Sequence, residues 1–224
     1  MPQAARQLPT RQPRAPSRLA LLCWFTAAAA SAGDFTVTAR QRDERPLAGA
    51  VITLEAQASD AAPAPPQQAV MDQVNMTFVP DVLVVPVHSR VQFPNSDVIS
   101  HQVYSFSGAK PFQLPLYRGK PYPPVVFDQP GVVTLGCNIH DNMLAYIVVT
   151  RAAHFGRTAA DGRWTAANLP AGHYVLRLWH PLLNEGREIV RDLTVDAAGG
   201  ALEIQLGRAL RPAPITARPH SWDY

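Results

Sequence analysis

The sequence predicts an all-β chain built as one larger β-sandwich and a second, smaller one. Three observations predict it. Apolar residues alternate with polar ones over short stretches, as in Phe35-Thr36-Val37-Thr38-Ala39-Arg40. Pro and Gly turns punctuate these stretches, with 22 Pro in 224 residues. Nothing long carries the 3.6-residue period of an amphipathic helix. The length allows one large or two small domains and a sizeable core.

The chain begins with Arg6, Arg11, Arg14 and Arg18, followed by an apolar run over residues 19–30 and the small-residue triplet Ala30-Ser31-Ala32 before Gly33. This order is that of a cleaved secretory signal, residues 1–32. The apolar run is too short to span a bilayer, so no stable membrane anchor is expected after cleavage. Without the signal, 16 Lys plus Arg face 17 acids, and no basic patch remains to bind nucleic acid. Cys23 leaves with the signal, which makes Cys137 the one mature cysteine. It has no disulfide partner, and a free thiol outside the cell is open to oxidation. A bound metal would remove that hazard.

Residues 35–40 read as a strand, Arg45-Pro46-Leu47-Ala48-Gly49-Ala50 as a turn, and residues 51–56 as a second strand. Residues 58–68 form an Ala/Pro linker. Short strands are expected over 70–78, 82–87, 90–93, 102–107, 112–117, 125–127, 132–135 and 144–150, the spacing of an antiparallel sandwich over residues 69–150. The Pro-rich stretch 119–124 reads as a rigid connection. Ala160-Asp161-Gly162-Arg163 and Asn168-Leu169-Pro170-Ala171-Gly172-His173 are turn signals. Strands follow at 174–179, 189–195 and 202–206. An isolated hairpin is marginal in water. Residues 33–57 are therefore expected to complete the sandwich of residues 151–208, with 34–57 pairing with 157–207 across the inserted segment. Residues 209–224, with Pro212, Pro214 and Pro219 and no periodicity, read as a disordered tail.

The chemistry concentrates in Gly136-Cys137-Asn138-Ile139-His140-Asp141-Asn142-Met143. This C-x2-H-x2-M loop between two strands brings a thiolate, an imidazole and a thioether to one end of a sheet. Soft sulfur donors with imidazole suit copper, and two His, one Cys and a long axial Met form a blue-copper set. The second His is expected to be His101, which closes the turn-rich run Phe93-Pro94-Asn95-Ser96-Asp97-Val98-Ile99-Ser100. Singly, each residue has a plainer reading: a buried Cys or Met fills core, and a His at a strand end hydrogen-bonds at the surface. Their combination on one loop and one strand end favours the metal. Zinc fits the geometry, but a thioether is a poor zinc ligand. A Cys–His nucleophile pair is disfavoured because Met143 can orient no base.

The segment 78–103 resembles the F-x-P-x-x-x-x-V, V-x-F-x-N-x-D and H-x-V pattern of small cupredoxins, and the loop has the short spacing of amicyanin. The whole chain resembles the periplasmic proteins labelled methylamine utilisation proteins. The resemblance covers residues 69–150 and implies a Greek-key copper sandwich. It implies copper on His101, Cys137, His140 and Met143, a periplasmic location, and single-electron transfer to a redox partner protein rather than enzymatic turnover. The pieces P-L-A-G-A-V-I-T-L, T-A-A-D-G-R-W and L-P-A-G-H-Y-V-L-R-L resemble the carboxypeptidase regulatory-like, transthyretin-type (Ig-like) sandwich, with the cupredoxin-like segment filling the gap after the first piece.

The sequence departs from the cupredoxin pattern in places. Gln102 follows His101 where amicyanin-like proteins carry an Asn that braces the ligand loop. Gly136 precedes Cys137 where electron carriers often carry an aromatic or polar side chain, and Asn142 replaces a more usual aromatic. Of the other histidines, His180 reads as structural and His88 occupies a turn position where cupredoxins usually have Gly. His154, His173 and His220 read as solvated loop residues. No H-x-H pair supplies a trinuclear cluster. Two other functions stand beside electron transfer: copper binding or delivery without redox turnover, and a metal-free scaffold module.

Overall fold

The structure, a computed structural model, describes residues 32–57, 62–119, 121–183 and 188–213. The expected signal lies outside the described residues except for Ala32, as do His220 and residues 214–224 of the expected tail. The fold is all-β, with seventeen strands and no helix among the described residues. The first two strands are β1 (Ala32–Arg40) and β2 (Val51–Ala56). A central block follows: β3 (Gln68–Val70), β4 (Asp72–Val74), β5 (Thr77–Val79), β6 (Val82–Pro86), β7 (Ser89–Gln92), β8 (His101–Ser105), β9 (Phe112–Tyr117), β10 (Val125–Phe127), β11 (Gly131–Gly136) and β12 (Leu144–Thr150). The chain closes with β13 (His154–Arg157), β14 (Arg163–Pro170), β15 (Gly172–Trp179), β16 (Ile189–Val195) and β17 (Gly200–Gln205).

The central block packs a five-stranded sheet, order β6-β12-β11-β8-β9, against a three-stranded sheet, order β10-β7-β3. Alternation decides which side chains face inward. In β8 His101, Val103 and Ser105 are buried while Gln102 and Tyr104 are not, as a period of two requires. Val91, Phe93, Val103, Phe127, Val133, Leu135 and Ile147 form the core, and Cys137 and Met143 belong to the same cluster. β11 and β12 run antiparallel from Gly131↔Val149 to Gly136↔Leu144, so their connection, residues 137–143, is held at one end of the sheet.

The outer strands form a second pair of sheets, β14-β1-β17 and β13-β2-β15-β16. β1 lies between β14 and β17, and β2 between β13 and β15. The first two strands thus find their hydrogen-bonding partners beyond residue 150, and Phe35, Val37, Ile52, Leu54, Leu176 and Leu178 close a separate core. Between the two bodies Val51, Val82, Val148 and Trp179 form a small third cluster, with Tyr146 packed edge-on against Trp179 at 5.2 Å. Arg157 crosses the junction to Asp81 Oδ1 and the Val82 carbonyl, each at 3.1 Å.

Several local expectations are corrected. Residues 70–78 are not one strand: Asn75 and Met76 adopt φ of 50° and 57°, a left-handed turn that splits the run into β4 and β5. Residues 154–157 and 163–170 are strands that the sequence pattern does not announce, so His154 is a half-buried strand residue, and His173 lies exposed on β15. The start of the expected tail is held in place. Leu210 packs on the outer core, and Arg211 donates its backbone N–H to Leu182 O and its guanidinium to Pro181 O, both at 2.8 Å.

Candidate metal centre

Four elements converge at one end of the five-stranded sheet. β8 begins with His101, fully buried and paired with Tyr117 of β9. β11 ends on Gly136, and Cys137 turns in behind it, 4% exposed. A Cβ on Gly136 would lie 2.8 Å from the ring carbon and hydroxyl of Tyr104 on the neighbouring strand, so glycine lets that ring lie against the strand end without shifting. The loop then tightens at His140, whose carbonyl accepts the Met143 N–H at 3.0 Å. Met143 is 2% exposed, whereas Asn138, Ile139, Asp141 and Asn142 face solvent and His140 is half-buried.

His101, Cys137 and His140 come together as a group able to hold a metal ion. The two Nδ1 atoms are 3.1 Å apart, and Cys137 Sγ lies 4.0 Å from Nδ1 of His101 and 3.8 Å from Nδ1 of His140. These edges fit a common centre about 2.0–2.1 Å from each nitrogen and about 2.3 Å from sulfur, distances typical of a late transition metal. A trigonal His2Cys set with a thioether beside it is the donor chemistry of a blue-copper site. The residues present therefore fit copper. Met143 lies in the same buried cluster as Cys137.

The sequence reading missed the scaffold behind His101. Asp97 Oδ2 lies 3.0 Å from His101 Nε2 and also accepts the Met76 N–H at 2.7 Å, while Oδ1 accepts the Val98 N–H at 2.7 Å. Burial pushes the Asp97 carboxyl up, but the Met76 N–H, His101 and the Val98 N–H outweigh it and leave the group below the usual carboxylate range. Asn95 braces the loop that leads to His101. Its amide donates to the carbonyls of Ile99 and Tyr117, at 3.0 and 2.8 Å, and its Oδ1 accepts the Asp97 N–H at 3.0 Å. Below it the buried Gln73 donates to Pro94 O at 2.9 Å and to the Tyr117 hydroxyl at 2.6 Å, and that hydroxyl donates to Phe93 O. Burial raises the Tyr117 phenol to about 12. The one sequence signal for this scaffold is the Asn-Ser-Asp run itself.

The surroundings of His140 favour its neutral form. Partial burial and the neighbouring His101 lower its pKa, against a smaller opposing pull from Asp97. A neutral imidazole is the form that can ligate a metal. Of the remaining histidines, His180 accepts the Leu182 N–H on Nδ1 at 3.1 Å, a structural role, and His88 sits at φ 67° in the β6–β7 turn.

No family model matches the chain, and no curated protein matches it. Similar solved structures are copper proteins. A copper-containing nitrite reductase from Thermus scotoductus SA-01 is 29% identical over 43% of this chain and 25% of its own, with a TM-score of 0.36. A purple cupredoxin from Nitrosopumilus maritimus is 23% identical, covering 37% of this chain and 99% of its own at a TM-score of 0.34. A reduced amicyanin variant is 20% identical over 44% of this chain and 99% of its own, also at 0.34. The chain thus spans a quarter of the nitrite reductase and nearly the whole of the two small proteins.

Proposed function

We propose that this chain is an exported type 1 copper protein that carries single electrons in the periplasm. The observation that carries the reading is the triangle of His101 Nδ1, His140 Nδ1 and Cys137 Sγ, with edges of 3.1, 3.8 and 4.0 Å. Copper, when bound, would supply a one-electron couple. His101, Cys137 and His140 would hold it, with the Met143 thioether as a further sulfur donor from the same loop. The protein's part is to hold these donors in nearly the same place in both oxidation states. Asn95 and Gln73 fix the His101 side through the Tyr117 strand, and the β11–β12 ladder fixes both ends of the loop. Little then has to move when the charge changes, the condition for fast electron transfer without catalysis.

His140 is the ligand nearest solvent, on a loop that exposes Ile139 beside Asp141 and Asn142. A redox partner protein would dock there over a small and weak interface. Cyclic voltammetry of the copper-loaded protein tests the reading, with a reversible one-electron wave expected. A protein that takes up copper but shows no reversible couple would be a copper-binding or delivery protein instead.

A further inference from the structure

We propose that Asp97 is the positioning residue of this centre: it fixes which nitrogen of His101 faces the metal, and its charge biases bound copper towards the oxidised state. This rests on the copper reading above. The contact is His101 Nε2 to Asp97 Oδ2 at 3.0 Å, between side chains 0% and 8% exposed. Asp97 already accepts the Met76 and Val98 N–H groups and offers Oδ2 to His101 as a further acceptor, so the His101 ring proton stands on Nε2 and Nδ1 presents a bare lone pair. That lone pair is the one turned towards Cys137 and His140. A carboxylate behind a ligating imidazole also makes the ring a stronger donor.

The carboxylate is not free to swing away. The Met76 N–H, delivered by the left-handed Asn75–Met76 turn between β4 and β5, holds Oδ2, and the Val98 N–H holds Oδ1. Asp72, on the same hairpin, binds the Ser96 hydroxyl at 2.7 Å and its N–H at 3.2 Å. The hairpin is thus clasped on the loop that carries Asp97, and the charge stays one imidazole away from the metal position. In so buried a place water screens it weakly. A fixed negative charge there favours the more positive oxidation state.

Asp97→Asn tests the charge and the wild-type protein tests the positioning. In the metal-free wild type, 15N–1H spectra should show a slowly exchanging His101 Nε2–H proton. Its absence would overturn the positioning role without any use of copper. In the copper-loaded protein, Asp97→Asn keeps an acceptor oxygen but removes the charge. We expect Cu(II) affinity to fall about tenfold relative to Cu(I), within the range typical of such partners. For a one-electron couple that is a rise in potential of about 59 mV. An unchanged potential in a variant that keeps the thiolate band would overturn the charge role and leave the copper reading standing. A wild type without that band would overturn the copper reading, while the Nε2–H measurement still decides the positioning. If Asp97→Asn fails to fold, Asp97→Glu is the second variant, expected to retain a potential close to that of the wild type. A full tenfold shift in Asp97→Glu would count against the charge.

Discussion

The Nδ1 atoms of His101 and His140 face each other at 3.1 Å. Because Asp97 takes the proton on His101 Nε2, His101 Nδ1 can only accept, and His140 must donate from its own Nδ1. In the metal-free protein one proton therefore sits in the place that a metal would take. Metal binding has to move that proton to Nε2 of His140. Imidazole 15N shifts should show His140 as the Nδ1–H tautomer without metal and as the Nε2–H tautomer with a diamagnetic Zn(II) ion bound. His140 found as Nε2–H in both states would contradict this arrangement.

Asn95 is 3% exposed and makes three side-chain hydrogen bonds that tie residues 95–99 to β9. Asn95→Ala strands two carbonyls and an N–H in a largely buried place. Each such bond contributes about 1 kcal/mol net, and stranded groups cost more. A loss of about 3 kcal/mol in denaturant unfolding is expected, together with weaker metal binding. A loss below about 0.5 kcal/mol would show that the loop does not depend on this amide.

Trp179 belongs to the outer core by sequence position, yet it packs on Val82, Val148 and Tyr146 of the central block. Trp179→Ala removes most of the apolar contact between the two bodies, at a cost of about 3–5 kcal/mol. The Arg157–Asp81 pair is largely solvent-exposed and adds at most about 1 kcal/mol. Calorimetry of the variant should resolve two unfolding transitions where the wild type shows one. A single unshifted transition would mean the junction is not coupled through this side chain.

His180 titrates below its ordinary range because it is half-buried and lies near the Arg157 charge, which outweigh Asp81 and the Ala48 carbonyl. Burial lowers His154 in the same way. A depressed histidine is neutral in the fold while the unfolded chain takes up a proton at about pH 6.5. Stability is thus fully present above that pH and is lost as the pH falls towards the folded values. Metal-free protein should unfold at lower denaturant at pH 5.5 than at pH 7.5, and His180→Asn should flatten the difference. Equal midpoints in the wild type would refute the assignment.

What the sequence makes legible follows from how local each signal is. The spacing of Cys137, His140 and Met143 needs only one loop, and His101 is marked by its strand and the turn residues before it. The three nitrogen and sulfur donors do converge. The partners of β1 and β2 were legible for a negative reason, since those strands cannot be stable alone. The roles of Asp97, Asn95 and Gln73 were not legible, because they depend on a hairpin folding onto a loop some twenty residues away. That hairpin was itself hidden, as Met76 looks like a strand residue until its backbone turns left-handed. Gly136 is a departure from pattern in the sequence, and only the structure shows the Tyr104 ring lying against it, where any side chain would push that ring aside.

The most direct test of the central claim is an optical titration of the purified metal-free protein with Cu(II), alongside Cys137→Ser. Cys137 is a small buried group, so the serine variant should keep the wild-type far-ultraviolet circular dichroism. The account predicts an intense visible thiolate-to-copper band that saturates at about one equivalent of copper, as one donor triangle requires, and that is absent from the variant. No intense band in the wild type, or the same band in Cys137→Ser, would contradict it.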